Sequence, residues 1–182
     1  MTPLEQLLTQ YAAYHRDRRN IATHFAGVPM IVFAILLAAE TIAIPVGSSA
    51  FTLAGFLWLA ASMFYLKLDF AMGITMAAIL FAMFAGANEM VPRMGTMSSL
   101  GWAAAIFVAG WALQFLGHRF EGMKPAFFDD VKQLLVGPLF VCAELAFLVG
   151  ARAELRSRIE AHVGPTVARR TAWPDTSRPS VG

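Results

Sequence analysis

Four apolar stretches, separated by short polar clusters, make up most of the middle of this 182-residue chain. Phe25 to Ala39, Ala50 to Leu66, Phe70 to Asn88 and Met94 to His118 contain no Lys, Arg, Asp or Glu. A helix that crosses a bilayer needs about 20 mostly apolar residues, and each stretch reaches or approaches that length. The pattern predicts spanning helices over about Phe25–Ile44, Phe51–Leu66, Phe70–Met90 and Leu100–Gly117. Pro45 to Ser49 ends the first, the corner Lys67-Leu68-Asp69 turns the second into the third, and Pro92 to Gly95 breaks the third from the fourth. No internal repeat is visible.

The flanks differ in character. Thr2-Pro3-Leu4-Glu5 opens a helix: Thr2 caps, Pro3 suits the first helical position, and Glu5 closes a capping box. Leu4, Leu7, Leu8 and Tyr11 recur at helical spacing, so this helix lies on the membrane or packs under the bundle. Val131 to Gly150 is apolar but contains Gly137-Pro138 and an interior Glu144, and Asp129 and Asp130 are placed to cap its helix. A full fifth span would put the Arg-rich tail opposite the Arg-rich N-terminus, which the positive-inside bias disfavours. The expected fold is therefore all-α, a polytopic membrane helix bundle. It has about four spanning helices, an N-terminal interfacial helix and a C-terminal hydrophobic helix pair, broken or re-entrant at Gly137-Pro138. Residues 1–163 form one membrane-embedded domain and 164–182 a disordered tail.

Composition supports the membrane assignment. The chain is 58% hydrophobic and 14% charged, with a mean hydropathy of +0.60, against about 45–50% and 25% in soluble domains. No secretory signal peptide is evident, and the single cysteine, Cys142, allows no intrachain disulfide. The net charge of +2 comes from arginines near the two ends, which speak to topology and anionic head groups. No basic stripe interleaved with aromatics supports a nucleic-acid partner. Both termini are expected in the cytoplasm, in a bacterial inner membrane, or at the endoplasmic reticulum if the source is eukaryotic.

Candidate chemistry sits in two polar patches. The first is Tyr14-His15-Arg16-Asp17-Arg18-Arg19-Asn20-Ile21-Ala22-Thr23-His24, the second Gln114-Phe115-Leu116-Gly117-His118-Arg119-Phe120-Glu121. An even number of crossings between them brings both to one membrane face. His15 and His24 are nine residues apart, about 180° around one straight helix, so the chain must break between them to point both inward. Asn20 is the expected N-cap of the second helix. His118 and Glu121, three apart, share a helical face. Three neutral imidazoles and a carboxylate suit a first-row transition metal such as iron or zinc. Read singly, each histidine is an interfacial or structural residue; read together on one face, a metal site stands level with that reading. His162, among Arg and Glu, is expected to be solvated.

Glu144 in an apolar run is either paired with a histidine, an arginine or the metal, or is a protonated carboxyl bonded to backbone. Arg16, Arg18 and Arg19 either anchor a substrate carboxylate or contact head groups. Glu40 and Glu89 fall on the opposite face, outside the site. Ser98-Ser99 has no His or Asp partner on its face, which argues against a serine nucleophile.

The run Tyr14-His15, Asn20, His24-Phe25-Ala26-Gly27-Val28-Pro29 resembles the opening motif of the 2-hydroxy fatty acid dioxygenases. Trp111 to Ala126 is similar to that family's second motif, and Gly137-Pro138-Leu139-Phe140-Val141 with Glu144 to its closing one. The resemblance runs from about Tyr11 to Gly150 in the expected order. It implies an Fe²⁺-dependent membrane enzyme that takes a 2-hydroxy long-chain fatty acid and O₂ and releases an acid one carbon shorter, the alpha-oxidation of phytosphingosine breakdown. It implies His15, His24 and His118 as iron ligands and Glu121 and Glu144 as further ligands or their neighbours. Asn20 belongs with them in the site, and Arg16 and Arg19 steady the substrate carboxylate. Two other classes remain open at this point: a membrane metalloprotein with different oxidation or hydrolysis chemistry, and a non-catalytic lipid-binding protein.

Overall fold

In a computed structural model, residues 1–47, 49–125, 130 and 132–167 are described. Among them are seven helices and one β-hairpin: α1 (Pro3–Ala12), α2 (Arg18–Glu40), β1 (Ala43–Val46), β2 (Ser49–Thr52), α3 (Leu53–Leu68), α4 (Phe70–Met94), α5 (Thr96–Glu121), α6 (Gln133–Leu148) and α7 (Ala153–Val163). Helices α2, α4 and α5 are long and apolar enough to cross a membrane, and α6 with α7, bent by 115°, makes a fourth candidate if counted as one span. The outward faces of α3, α4 and α5 carry exposed Phe56, Met63, Phe81, Trp102 and Val108, as lipid-facing surfaces do. The helices fit an integral membrane protein.

Several boundaries differ from expectation. The segment expected to span over Phe51–Leu66 forms its helix two residues later: α3, Leu53–Leu68, has 16 residues, about 24 Å against a hydrocarbon core of about 30 Å. Its first residues instead pair with Ala43–Val46 in an antiparallel hairpin. Pro92 does not break α4, which continues to Met94 and ends at Gly95, φ 77°. Gly137-Pro138 does not break α6 either; the bend comes after Leu148. Proline removes only one backbone donor, and packing against the rest of the bundle holds the helix through it. Asp129 and Val131 lie outside the described residues, while Asp130 accepts the Lys132 N–H (3.0 Å).

Helix α1 forms as its sequence predicts. Thr2 and Glu5 make the reciprocal capping box (3.2 and 2.9 Å), and Leu4 and Leu8 are buried with Val136, Phe140, Leu155 and Ile159. The helix therefore packs under the bundle, held to α7 by Glu5–Arg158 (2.7 Å). Tyr65 near the end of α3 donates to the Leu135 carbonyl (2.8 Å), and Asp69 just beyond α3 holds Arg152 beyond α6 (2.6 Å). The start of α6 and the segment after it are thus both tied to the end of α3.

The pair α2 and α5 runs antiparallel along a glycine seam. A Cβ on Gly110 would stand 3.0 Å from the Gly27 carbonyl and 2.8 Å from Ile31 Cγ1, and one on Gly117 would collide with Thr23 and Asn20. Only glycine lets the two backbones come this close. The consequence is functional: the first turns of α2 lie against the last turns of α5.

Candidate metal centre

The break between His15 and His24 is real, but its cap is Asp17 rather than Asn20. Asp17 Oδ1 accepts the Arg19 N–H (2.8 Å) and the helix starts at Arg18. An acidic cap three residues earlier fits the positive end of the helix better than a neutral amide inside the first turn. Residues 13–17 turn the chain between α1 and α2, so His15 and His24 face one point. His118, one turn from the end of α5, meets them across the glycine seam. The three rings are buried, and one ring nitrogen from each lies within 4.8 Å of the others.

Hydrogen bonds set the tautomers. His15 Nδ1 is 2.7 Å from the Tyr11 carbonyl, and His24 Nδ1 is 2.9 Å from the Asn20 carbonyl. A carbonyl only accepts, so both Nδ1 atoms carry the proton and both neutral rings present a bare Nε2. These two Nε2 atoms stand 3.1 Å apart. Two lone pairs do not approach so closely unless a cation lies between them. A proton is a poor choice, because burial, followed by the neighbouring His24, holds the His15 imidazole well below its usual range of protonation. A metal ion suits: nitrogens about 2.1 Å from one ion and meeting at nearly a right angle are about this far apart. His118 Nδ1, buried without a hydrogen-bond partner, is a further free donor atom. Backbone carbonyls on the far nitrogens are the orienting bonds that metal-bound histidines normally have. The triad can hold a metal. Tyr11 stacks flat on His15, ring centres 4.1 Å apart.

The other expected residues lie around this triad in different relations. Glu121 turns its carboxylate to the chain rather than joining the histidine cluster: it accepts the Arg16 N–H (3.0 Å), the Asp17 N–H (2.7 Å) and the Asn20 amide (3.1 Å). It clamps the turn between His15 and His24 to the end of α5. Asn20 is the middle link, donating to Glu121 and offering its carbonyl to His24. Arg16 is buried, its guanidinium donating to the Ala12, His15 and Gly164 carbonyls, with Glu144 at 4.0 Å. Arg19 forms a double contact with Asp17 (3.1 and 2.7 Å) and covers the Phe120 ring. The tail expected from Gly164 begins in order: Val167 exchanges backbone hydrogen bonds with Arg16 and Arg18 (2.9 and 3.1 Å). Residues 168–182 lie outside the described ones.

A cavity of about 210 Å³ opens beside the triad, lined by His24, His118 and Tyr11 and then by Val28, Ile31, Ile35, Phe107 and Trp111. Gln114 and Gln133 line it as well. Sequence reasoning gave neither a role. Gln114 could have been found as the polar residue one turn before His118 in an otherwise apolar run; Gln133 reaches the cavity only through the packing of α6.

Three imidazoles that could hold a metal, two of them lining an apolar cavity, thus sit among helices of membrane type. The family model for 2-hydroxy-palmitic acid dioxygenase Mpo1-like proteins matches residues 1–149, and the chain belongs to that family. It is 27% identical over 159 residues to the 2-hydroxy-palmitic acid dioxygenase MPO1 of Saccharomyces cerevisiae, covering 86% of this chain and 87% of that protein. No solved structure matches the chain.

Proposed function

We propose that this protein is an Fe²⁺-dependent dioxygenase that shortens long-chain 2-hydroxy fatty acids by one carbon with O₂. The observation that carries this is the bare Nε2 pair of His15 and His24, 3.1 Å apart, with His118 beside them at the head of an apolar cavity. The family supplies the substrate class. Imidazole donors suit iron, and zinc, which has no redox chemistry, does not fit a dioxygenase. Bound iron would supply the one-electron chemistry that lets O₂ react with a closed-shell acid.

The chain's own residues do the rest. His15, His24 and His118 hold the ion, with two of their rings oriented by the Tyr11 and Asn20 carbonyls. Glu121 fixes the turn that carries His15, and the half-buried Glu144 faces the buried Arg16 at 4.0 Å next to it. The cavity keeps water from the reacting carbons. From His24 to Ile35, α2 offers about 16 Å of wall. An extended alkyl chain advances about 1.3 Å per carbon, the projection of a ~1.5 Å C–C bond, so about a dozen carbons lie along it. The substrate supplies all four electrons that O₂ takes: the C1–C2 bond breaks and the shortened acid, CO₂ and water leave. No 2-oxoglutarate is required. The site faces the cytoplasm in this reading.

The test is incubation of detergent-purified protein with 2-hydroxypalmitate, Fe²⁺ and O₂, with mass spectrometry for pentadecanoic acid. Product that requires both iron and oxygen is expected. Folded, iron-loaded protein that forms none would refute the reaction.

A further inference from the structure

Two carboxamides in the cavity are left unused by the fold. Gln114, one turn before His118 on α5, and Gln133, the first residue of α6, line the cavity with His24 and His118. Gln133 is 2% exposed and Gln114 5%. Neither the oxygen nor the nitrogen of the Gln133 amide has a hydrogen-bond partner, and the Gln114 nitrogen has none either. Buried polar atoms are almost always paired, because an unpaired one forfeits its hydration without return. Unpaired amide atoms on two helices, lining one apolar cavity together with His24 and His118, point to a ligand that brings the missing partners. The arginines of the first patch are otherwise engaged: Arg16 donates to three carbonyls and Arg19 is paired with Asp17, and neither lines the cavity.

We propose that Gln114 and Gln133 bind the polar head of the 2-hydroxy acid. Amide N–H groups of both residues donate to its carboxylate, and the Gln133 oxygen accepts its 2-hydroxyl proton. This rests on the substrate class given above and assigns the residues that recognise it. A neutral amide suits the place. An ion held by three neutral histidines already supplies positive charge, and an amide costs far less to keep in an apolar cavity than a guanidinium. An amide that accepts from a hydroxyl also selects: an acid without the 2-hydroxyl leaves it unpaired, and such sites reject the deficient analogue strongly.

The experiment measures equilibrium binding of 2-hydroxypalmitate and of palmitate to the iron-loaded full chain in detergent, without oxygen so that nothing turns over. The parent should bind the hydroxy acid at least about tenfold more tightly. Gln133→Met, close in volume and free of polar atoms that need partners, should keep the iron content and keep or raise the Tm. Its affinity for 2-hydroxypalmitate should fall about ten- to a hundredfold and that for palmitate, which loses only the donor to its carboxylate, by about tenfold or less, so that the preference narrows. Gln114→Met, on the other wall, removes a donor to the carboxylate alone, so it should weaken both acids about tenfold and keep the preference, with iron content and Tm unchanged. A Gln133→Met protein that keeps the parent's preference, or a Gln114→Met protein that binds both acids as tightly as the parent, overturns the proposal. So do variants that lose both ligands in parallel with a lower Tm, or unfolding of both, since those mark the amides as structural. A parent that does not distinguish the two acids refutes the substrate class itself, and the proposal with it.

Discussion

Glu121 is where the structure and the simplest expectation from sequence part most usefully. A carboxylate three residues after His118 invites the role of a metal ligand, yet here both oxygens are spent on the chain. Glu121→Gln and Glu121→Ala separate the two roles in metal-free protein. Hydrogen bonds to a charged acceptor contribute about 1.5–3 kcal/mol each and neutral ones about 1. Gln retains at most the bonds to one oxygen, without the charge, so the expected loss is about 1–3 kcal/mol. Ala strands two buried backbone N–H groups and the Asn20 amide at about 1–3 kcal/mol each, so the loss is about 3–6 kcal/mol after some hydration. For a chain of this size the first figure corresponds to a fall in Tm of about 3–10 °C. The assay is thermal unfolding by tryptophan fluorescence in detergent, with and without chelator, alongside iron by mass spectrometry. Glu121→Gln should retain its iron stoichiometry, bind iron about 10- to 100-fold more weakly as loss of an orienting partner does, and unfold earlier even without metal. A variant as stable as the parent in chelator but unable to hold iron would refute this reasoning and make Glu121 a ligand.

Replacing His15, His24 or His118 by Ala should each abolish stoichiometric iron in protein that remains folded by size-exclusion chromatography; full iron content in any one would remove that residue from the centre. Ile35→Trp, about 16 Å down the cavity wall from His24, should shift product formation toward shorter 2-hydroxy acids, read by mass spectrometry of mixed-length substrates; an unchanged profile would place the alkyl chain elsewhere. Asp69→Asn keeps the cap on α4, since Asn and Asp cap equally well, and removes the charge facing Arg152. Burial alone would raise the Asp69 carboxyl, but the Met72 N–H and Arg152 more than offset it and hold it below the usual value. A carboxyl lowered in the folded state stabilises above its unfolded pKa and ceases to as pH falls. The variant's Tm should therefore be lower at pH 7, and the gap should close toward pH 3; a constant gap would mean that the charge is not what matters.

Much of this protein was legible in residue order because bilayer physics is local. A long run without charge can satisfy its backbone only as a helix, so the all-α class and three long helices follow from hydropathy alone. The capping box of α1 is likewise a matter of four adjacent residues. Parity then brought the two histidine patches to one face, and the family motifs marked His15, His24 and His118 before any geometry was known. The tertiary structure decided what depends on contacts distant in sequence. Gly117 against Asn20 sets how near α5 comes to α2, and hence that three imidazoles converge rather than merely share a face. Glu121 and Arg16 are drawn by backbone groups that exist only once the 13–17 turn has formed, so the partners they take are not the ones their charges suggest. Gln133 enters the cavity only because α6 packs against α1 and α2 with Gly137-Pro138 unbroken. Periodicity places side chains on a face, but which buried polar atoms go without a partner is a property of the packed whole.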